Sequence, residues 1–132
     1  FGLSQYCVFE DFVPHQEAVK RMIDADLLLL PIPPSENMGR IVPGKVFEYL
    51  ASSTPILGIG PSDSAASEIL VACNRDTMVS HRKANLIAER CKEIFSQWEK
   101  TASRVKHEGD EHLVYSRKAL SERYLMHIEA IA

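Results

Sequence analysis

An α/β fold, a parallel sheet with helices on both faces, is predicted by three features of this 132-residue chain. Strand-like and helix-like stretches alternate along it, and such chains build parallel sheets through crossover connections. Leu27-Leu28-Leu29-Leu30 shows no alternation of apolar and polar residues, the mark of a strand covered on both sides. Ile56-Leu57-Gly58-Ile59 repeats that character after one helical stretch and a tight turn.

Taken in order, Tyr6-Cys7-Val8-Phe9 is aromatic and apolar and reads as a first strand. Phe12 to His15 is a strand-to-helix loop. Gln16 to Ala25 reads as a helix with Ala18, Val19, Met22 and Ile23 on one face. Pro31 to Pro43 is a long loop that contains Pro33, Pro34 and the Met38-Gly39 step. The stretch from about Gly44 to Ser52 is helical and is expected to bury Val46, Phe47, Leu50 and Ala51. Ser62, Asp63 or Ser64 caps the next helix, which runs to about Ala72. Met78-Val79 reads as a short edge strand. Asn85 to Trp98 is the clearest helix, since Ile87, Cys91, Ile94, Phe95 and Trp98 form one apolar stripe. Thr101 to Asp110 is polar and expected at the surface. Leu120, Tyr124, Ile128 and Ile131 mark a final helix.

Length and composition fit a single domain, residues 1–132, with a core of its own. The net charge is −3, and no basic stripe interleaved with aromatics appears, so nucleic acid is not expected as a partner. Cys7, Cys73 and Cys91 are odd in number and far apart, which argues against a disulfide framework or a zinc site. The histidines show no ligand spacing, and no metal is expected. The longest apolar run, Leu27 to Pro33, is too short to span a bilayer. The chain opens at Phe1 rather than Met, and three or four strands are few for a doubly wound sheet. A piece of a longer protein, lacking one or two βα units upstream, is therefore expected.

Chemistry concentrates in Val42-Pro43-Gly44-Lys45-Val46-Phe47-Glu48. Free amides and the positive dipole end of a helix start favour an anion, and Gly44 would let a phosphate come close. Pro43 lacks an N–H and loses nothing in a first turn. Glu48, one turn on, carries a carboxylate that can accept two hydroxyl donors at once. The competing reading is a well-capped surface helix with Glu48 paired to Lys45.

These residues resemble a family. Phe12-Val13-Pro14-His15-Gln16-Glu17-Ala18, Ala25-Asp26-Leu27-Leu28-Leu29-Leu30, Pro43 to Ala51 and Pro55-Ile56-Leu57 stand in the order and spacing of the C-terminal, donor-binding domain of GT-B-fold glycosyltransferases. The nearest group is the retaining, glycogen-synthase-like enzymes of bacterial polysaccharide assembly. Motif detail covers residues 6–72. The resemblance implies a Rossmann-like domain, truncated at its N-terminus, that faces an N-terminal acceptor domain absent here. It implies a nucleotide-sugar donor as substrate and no metal or other cofactor. Transfer would be to a polysaccharide or glycoconjugate in the cytoplasm, and peripheral attachment of the parent to the inner face of the membrane is compatible with it. This chain alone, with half the cleft, is not expected to catalyse transfer.

By that resemblance Glu48 holds the donor ribose, Gly44 and Lys45 the distal phosphate, and Val13 and Pro14 lie against the nucleobase. One departure concerns catalysis. Many relatives carry an acid eight positions before the ribose glutamate, near the transferred sugar, and Arg40 stands there. Glu36 is four residues off register. Either the chain's subgroup works without that acid, or Arg40 contacts donor phosphate or sugar, or the site is weakened; no catalytic residue is assigned. The segment from Ser62 to Glu68 opens a helix near the same sheet edge, but capping alone accounts for it. Phe95 and Trp98 are expected in the core rather than as a stacking platform. Two other readings stand beside the transferase: a GT-B-shaped nucleotide-sugar epimerase, for which no acid/base residues are nominated, and a non-catalytic nucleotide-binding module, which Arg40 favours. A receiver-type signalling domain is a fourth reading, lacking a recognisable acidic cluster or late lysine.

Overall fold

Two four-residue strands, β1 (Leu28–Pro31) and β2 (Ile56–Ile59), pair in parallel, with Leu28 opposite Ile56 and Pro31 opposite Ile59. Val79 adds an isolated parallel bridge on the far edge of β2. Its N–H donates to the Gly58 carbonyl and its carbonyl accepts from the Gly60 N–H, both at 2.9 Å. This computed structural model describes residues 2–34, 40–101 and 106–131. Around the strands lie α1 (His15–Asp24), α2 (Lys45–Ala51), α3 (Ala65–Ala72), α4 (Ala84–Thr101) and α5 (Arg117–Glu129). Short 3₁₀ turns occupy Ser4–Tyr6 and Glu111–Tyr115. Mixed α/β architecture with a parallel pair is what the alternating pattern demands.

The core lies between one face of the strands and α2 and α3. Leu30, Ile32 and Ile56 meet Val46 and Leu50 of α2, Ala66 and Leu70 of α3, and Cys73 and Met78 beyond it. The helical members sit four residues apart, so each pair shares one face. Burying a leucine of this kind stabilises the fold by about 1.5–3 kcal/mol. Gly58 makes room for Met78: a Cβ there would lie 2.9 Å from Met78 Cγ.

The helix ends use hydroxyls and left-handed residues. Ser64 caps α3 through its hydroxyl, which accepts from Ser67 N–H at 3.2 Å. Ser67 in turn accepts from Met78 N–H and pairs with the Thr77 hydroxyl. At its other end α3 closes with Asn74 at φ 55°, Asn74 N–H on the Val71 carbonyl and Arg75 N–H on the Leu70 carbonyl. That is a Schellman ending, and asparagine tolerates the left-handed conformation. α2 ends similarly at Ser53 (φ 58°). There the Ser52 hydroxyl completes the turn, donating to the Tyr49 carbonyl at 2.8 Å and accepting from Thr54 N–H at 3.3 Å.

Thr54 follows at once and is fully buried. Its hydroxyl donates to the Met22 carbonyl in the last turn of α1, at 2.8 Å, and accepts from Lys106 Nζ at 2.8 Å. Lys106 Nζ also reaches the Ile23 carbonyl. The neighbouring His107 N–H bonds the Ser53 carbonyl at 2.8 Å. One buried hydroxyl thus ties α1, the entry to β2 and the 106–107 segment together.

Several expectations are corrected. Tyr6 to Phe9 is no strand: a 3₁₀ turn precedes it, and Val8 and Phe9 are 85% and 90% exposed, because no strand edge is paired with it. β1 is covered on one side only. Leu28 and Leu30 are buried but Leu29 is half-exposed, since the described helices pack on the opposite face more fully. Phe47 and Ala51 of α2 lie outside the core; Phe47 rests on the Tyr115 ring at 5.6 Å instead. The α4 stripe buries no residue fully, and Phe95 and Trp98 stack on each other at 5.7 Å while remaining about half-exposed. Lys106 and His107, expected at the surface, are half-buried through the bonds just described. The expected final helix is present as α5, and Leu120, Tyr124 and Ile128 on it, like Ile131 beyond its end, are exposed.

Thr54→Val keeps the volume and removes the hydroxyl, leaving the Met22 carbonyl and Lys106 ammonium short of a partner. We expect a loss of about 1–3 kcal/mol in urea denaturation, with the far-ultraviolet circular dichroism unchanged before the transition.

Candidate functional site

Chain direction decides which residues share an end of the sheet. The last turn of α1 is held by Thr54, two residues before β2 begins, so it lies at the amino end of the strands. α1 has ten residues and is about 15 Å long, which carries its start, with Val13 and Pro14, toward the carboxyl end. α2 obeys the same rule: its last residues lead directly into Thr54, so Gly44 and Lys45 stand at the carboxyl end. The expected donor-contact residues therefore fall on one side of the fold.

The Glu48 carboxylate is exposed, with no hydrogen bond or ion pair among the described residues. Val46 and Leu50 point inward, and Glu48, midway between them, occupies the opposite face of α2. Lys45 is exposed, and no ion pair joins it to Glu48. Gly44 is the residue before α2, at φ −54° and ψ −31°, with no side-chain cap. A Cβ there would meet nothing within 4 Å. The α2 start closes through Val46 N–H on the Pro43 carbonyl and Phe47 N–H on the Gly44 carbonyl, leaving the Gly44 and Lys45 N–H groups outside that pattern. Val13 is half-buried and Pro14, before α1, is exposed. Arg40 is exposed, and Glu36 lies outside the described residues. No hydrogen bond or ion pair connects Val13 and Pro14 with Gly44, Lys45 or Glu48.

A cavity of about 400 Å³ lies elsewhere, at the amino ends of the strands. Asp26, Pro55 and Ile56 form its floor, Ile94 and Trp98 of α4 one wall, and Arg75 and His107 another. An apolar groove between Leu27 and the Cys91, Ile94, Phe95 and Trp98 side of α4 adjoins it. Nothing in the sequence announces this place: Arg75 and His107 are distant in the chain and belong to no motif. The helix-ending pattern at Asn74 was the only available signal for where Arg75 would point.

The electrostatics of this end are uneven. Burial pushes the Arg75 guanidinium below its ordinary pKa, with the Cys73 thiol and the Glu111 carboxylate opposing the shift. Burial also raises the Cys73 thiol. Glu111 is held below the usual carboxylate range by its own backbone N–H and by the Asn74 amide, with a smaller contribution from His107, whose Nε2 is 3.5 Å from it. Among the described residues no group of three or more His, Cys, Asp or Glu could hold a metal ion. No described helix is long and apolar enough to cross a membrane. No family model, curated protein or solved structure matches the chain.

A carboxylate whose pKa is depressed by folding stabilises the native state above its unfolded pKa and loses that contribution as the pH falls through the folded value. Glu111→Gln is therefore expected to lower Tm at neutral pH. The gap to wild type should close as the pH drops below the carboxylate range. Thermal scans of both proteins across acidic pH check this.

Proposed function

We propose that this chain is the later part of the donor-binding domain of a GT-B glycosyltransferase, and that its parent moves a sugar from a nucleoside diphosphate to a polysaccharide or glycoconjugate acceptor. The observation that carries the reading is Glu48: an exposed carboxylate without an internal partner, on a helix that joins two parallel strands and starts at their carboxyl end. In open α/β sheets ligands bind outside the carboxyl ends of the strands. In this reading the donor ribose hydroxyls donate to Glu48, the distal phosphate meets the Gly44 and Lys45 amides, and the base lies along Val13 and Pro14. The domain is Rossmann-like, and a second, acceptor-binding domain completes the cleft. Donor binding needs no metal, because amides and basic groups carry the phosphate charge. The parent works in the cytoplasm.

A non-catalytic nucleotide-binding module is the second reading. Arg40 supports it, since a cation stands where many related transferases place an acid near the sugar.

Both readings require nucleotide binding, which calorimetry with UDP, GDP, ADP and dTDP measures directly. We expect one of them to bind and Glu48→Ala to weaken it at least about tenfold, the loss of a charge-assisted pair of hydrogen bonds. Unchanged affinity in Glu48→Ala rules out the ribose assignment. Gly44→Ala separates ligand from fold: stability should hold or rise by up to about 1 kcal/mol, as for Gly→Ala at a helical φ, while diphosphate affinity falls. Product analysis with the full-length parent, with and without acceptor, then distinguishes transferase from binding module.

A further inference from the structure

We propose that the cavity at the amino ends of β1 and β2 binds a small organic anion, its carboxylate or phosphate meeting Arg75 and its apolar body lying along Trp98 and Ile94. The site is at the opposite end of the strands from Glu48 and does not depend on the nucleotide reading.

Arg75 carries the argument. The Schellman ending of α3 fixes its backbone at the cavity wall. Its side chain is half-buried, yet no carboxylate lies within ion-pair distance among the described residues. Its Nε is buried without a hydrogen-bond partner, and Nη2 reaches only the Leu50 carbonyl, at 3.5 Å. Arg21 and Arg90 contrast with it. Arg21 holds Glu10 and Glu17, and Arg90 holds Asp76 and Glu93. A guanidinium half-removed from water with no carboxylate beside it is costly; its Nε is closed off even from solvent, so an external anion would meet the side chain where it lines the cavity.

Three of the remaining charges of the lining are already engaged. Asp76 belongs to Arg90, Asp26 has an interaction of its own, and Lys106 is bound to Thr54 and the Ile23 carbonyl. His107 Nε2 is buried without a hydrogen bond, 3.5 Å from the Glu111 carboxylate. Glu108 is exposed and opposes an anion from the rim. The volume of about 400 Å³ falls in the range of small-molecule sites, which combine apolar walls with a few polar groups. Trp98 and Ile94 supply that wall.

Trp98 is the sole tryptophan of the chain and lines both this cavity and the adjoining apolar groove, so its fluorescence reports on this end of the fold, and loss of the response in Arg75→Gln assigns it to the cavity. The protein is titrated with benzoate and with phenyl phosphate at constant ionic strength, with chloride as the reference salt. A saturable change with either ligand is expected. Response to phenyl phosphate only identifies a phosphate ester as the ligand class, and response to benzoate only identifies a carboxylate. Arg75→Gln should weaken binding at least tenfold with its circular dichroism intact, and Glu108→Gln should tighten it severalfold. Absence of saturation with both ligands overturns the proposal, as does wild-type affinity in a folded Arg75→Gln. Should Arg75→Gln fail to fold, Glu108→Gln decides: unchanged or weaker affinity there overturns it.

Discussion

The Thr54 hydroxyl is the point on which the arrangement of this fold turns. It is fully buried, gives its proton to the Met22 carbonyl and takes one from Lys106. A hydroxyl taken out of water must be satisfied there or nowhere. Satisfying it requires the end of α1, the start of β2 and the 106–107 segment to meet at one place. That meeting sets the direction of α1 against the strands, and with it the end of the sheet at which Val13 and Pro14 stand. The α2 turn feeds the same place, since the Ser52 hydroxyl bonds the N–H of Thr54 itself.

The two ends of the strands consequently have different characters. The amino end is bound by side-chain hydrogen bonds and encloses a cavity beside an arginine that has no carboxylate at ion-pair distance among the described residues. The carboxyl end presents helix starts and, on the outer side of α2, Glu48, whose carboxylate has no partner among the described residues. Opposite charges thus remain uncompensated at opposite ends, a cation within and a carboxylate without. Solvent screening makes exposed Glu48 cheap to leave alone, whereas half-buried Arg75 is not. The fold by itself has stronger reason to recruit a ligand at the amino end than at the carboxyl end.

Much of this was legible in the sequence because it rests on local periodicity. The Val46/Leu50 pair, the Ile56–Ile59 strand and a cap among Ser62, Asp63 and Ser64, which proves to be Ser64, follow from spacing and side-chain chemistry that neighbours supply. What the sequence hid depends on partners far along the chain. Tyr6 to Phe9 has strand composition, but composition cannot provide the strand edge it would pair with. Leu29 looks the same as Leu28 and Leu30, and only the packing shows that its side of β1 is open. Lys106 and His107 look like surface residues until Thr54 and Ser53 claim them from about fifty residues away. At the candidate site the residue types around Gly44 and Glu48 were readable, as was their order relative to β1. The amino-end cavity was not, because Arg75 and Trp98 line it from the end of α3 and from α4, far apart in the chain.

The start of α2 shows how folding and binding can be told apart on one helix. Inward-facing Val46 and Leu50 are fixed by the core, and replacing either would cost packing energy. Gly44 has no such reason to be glycine. Its φ and ψ are helical and nothing crowds its missing side chain, so alanine would serve the helix as well or better. Glu48 is equally free of internal demands, with neither a cap nor an ion pair to serve. The fold is indifferent at both positions. An approach of phosphate to bare backbone would make glycine matter at the first, and a sugar hydroxyl would make a carboxylate matter at the second. The identities that folding leaves unexplained are the ones a ligand at the carboxyl end would require.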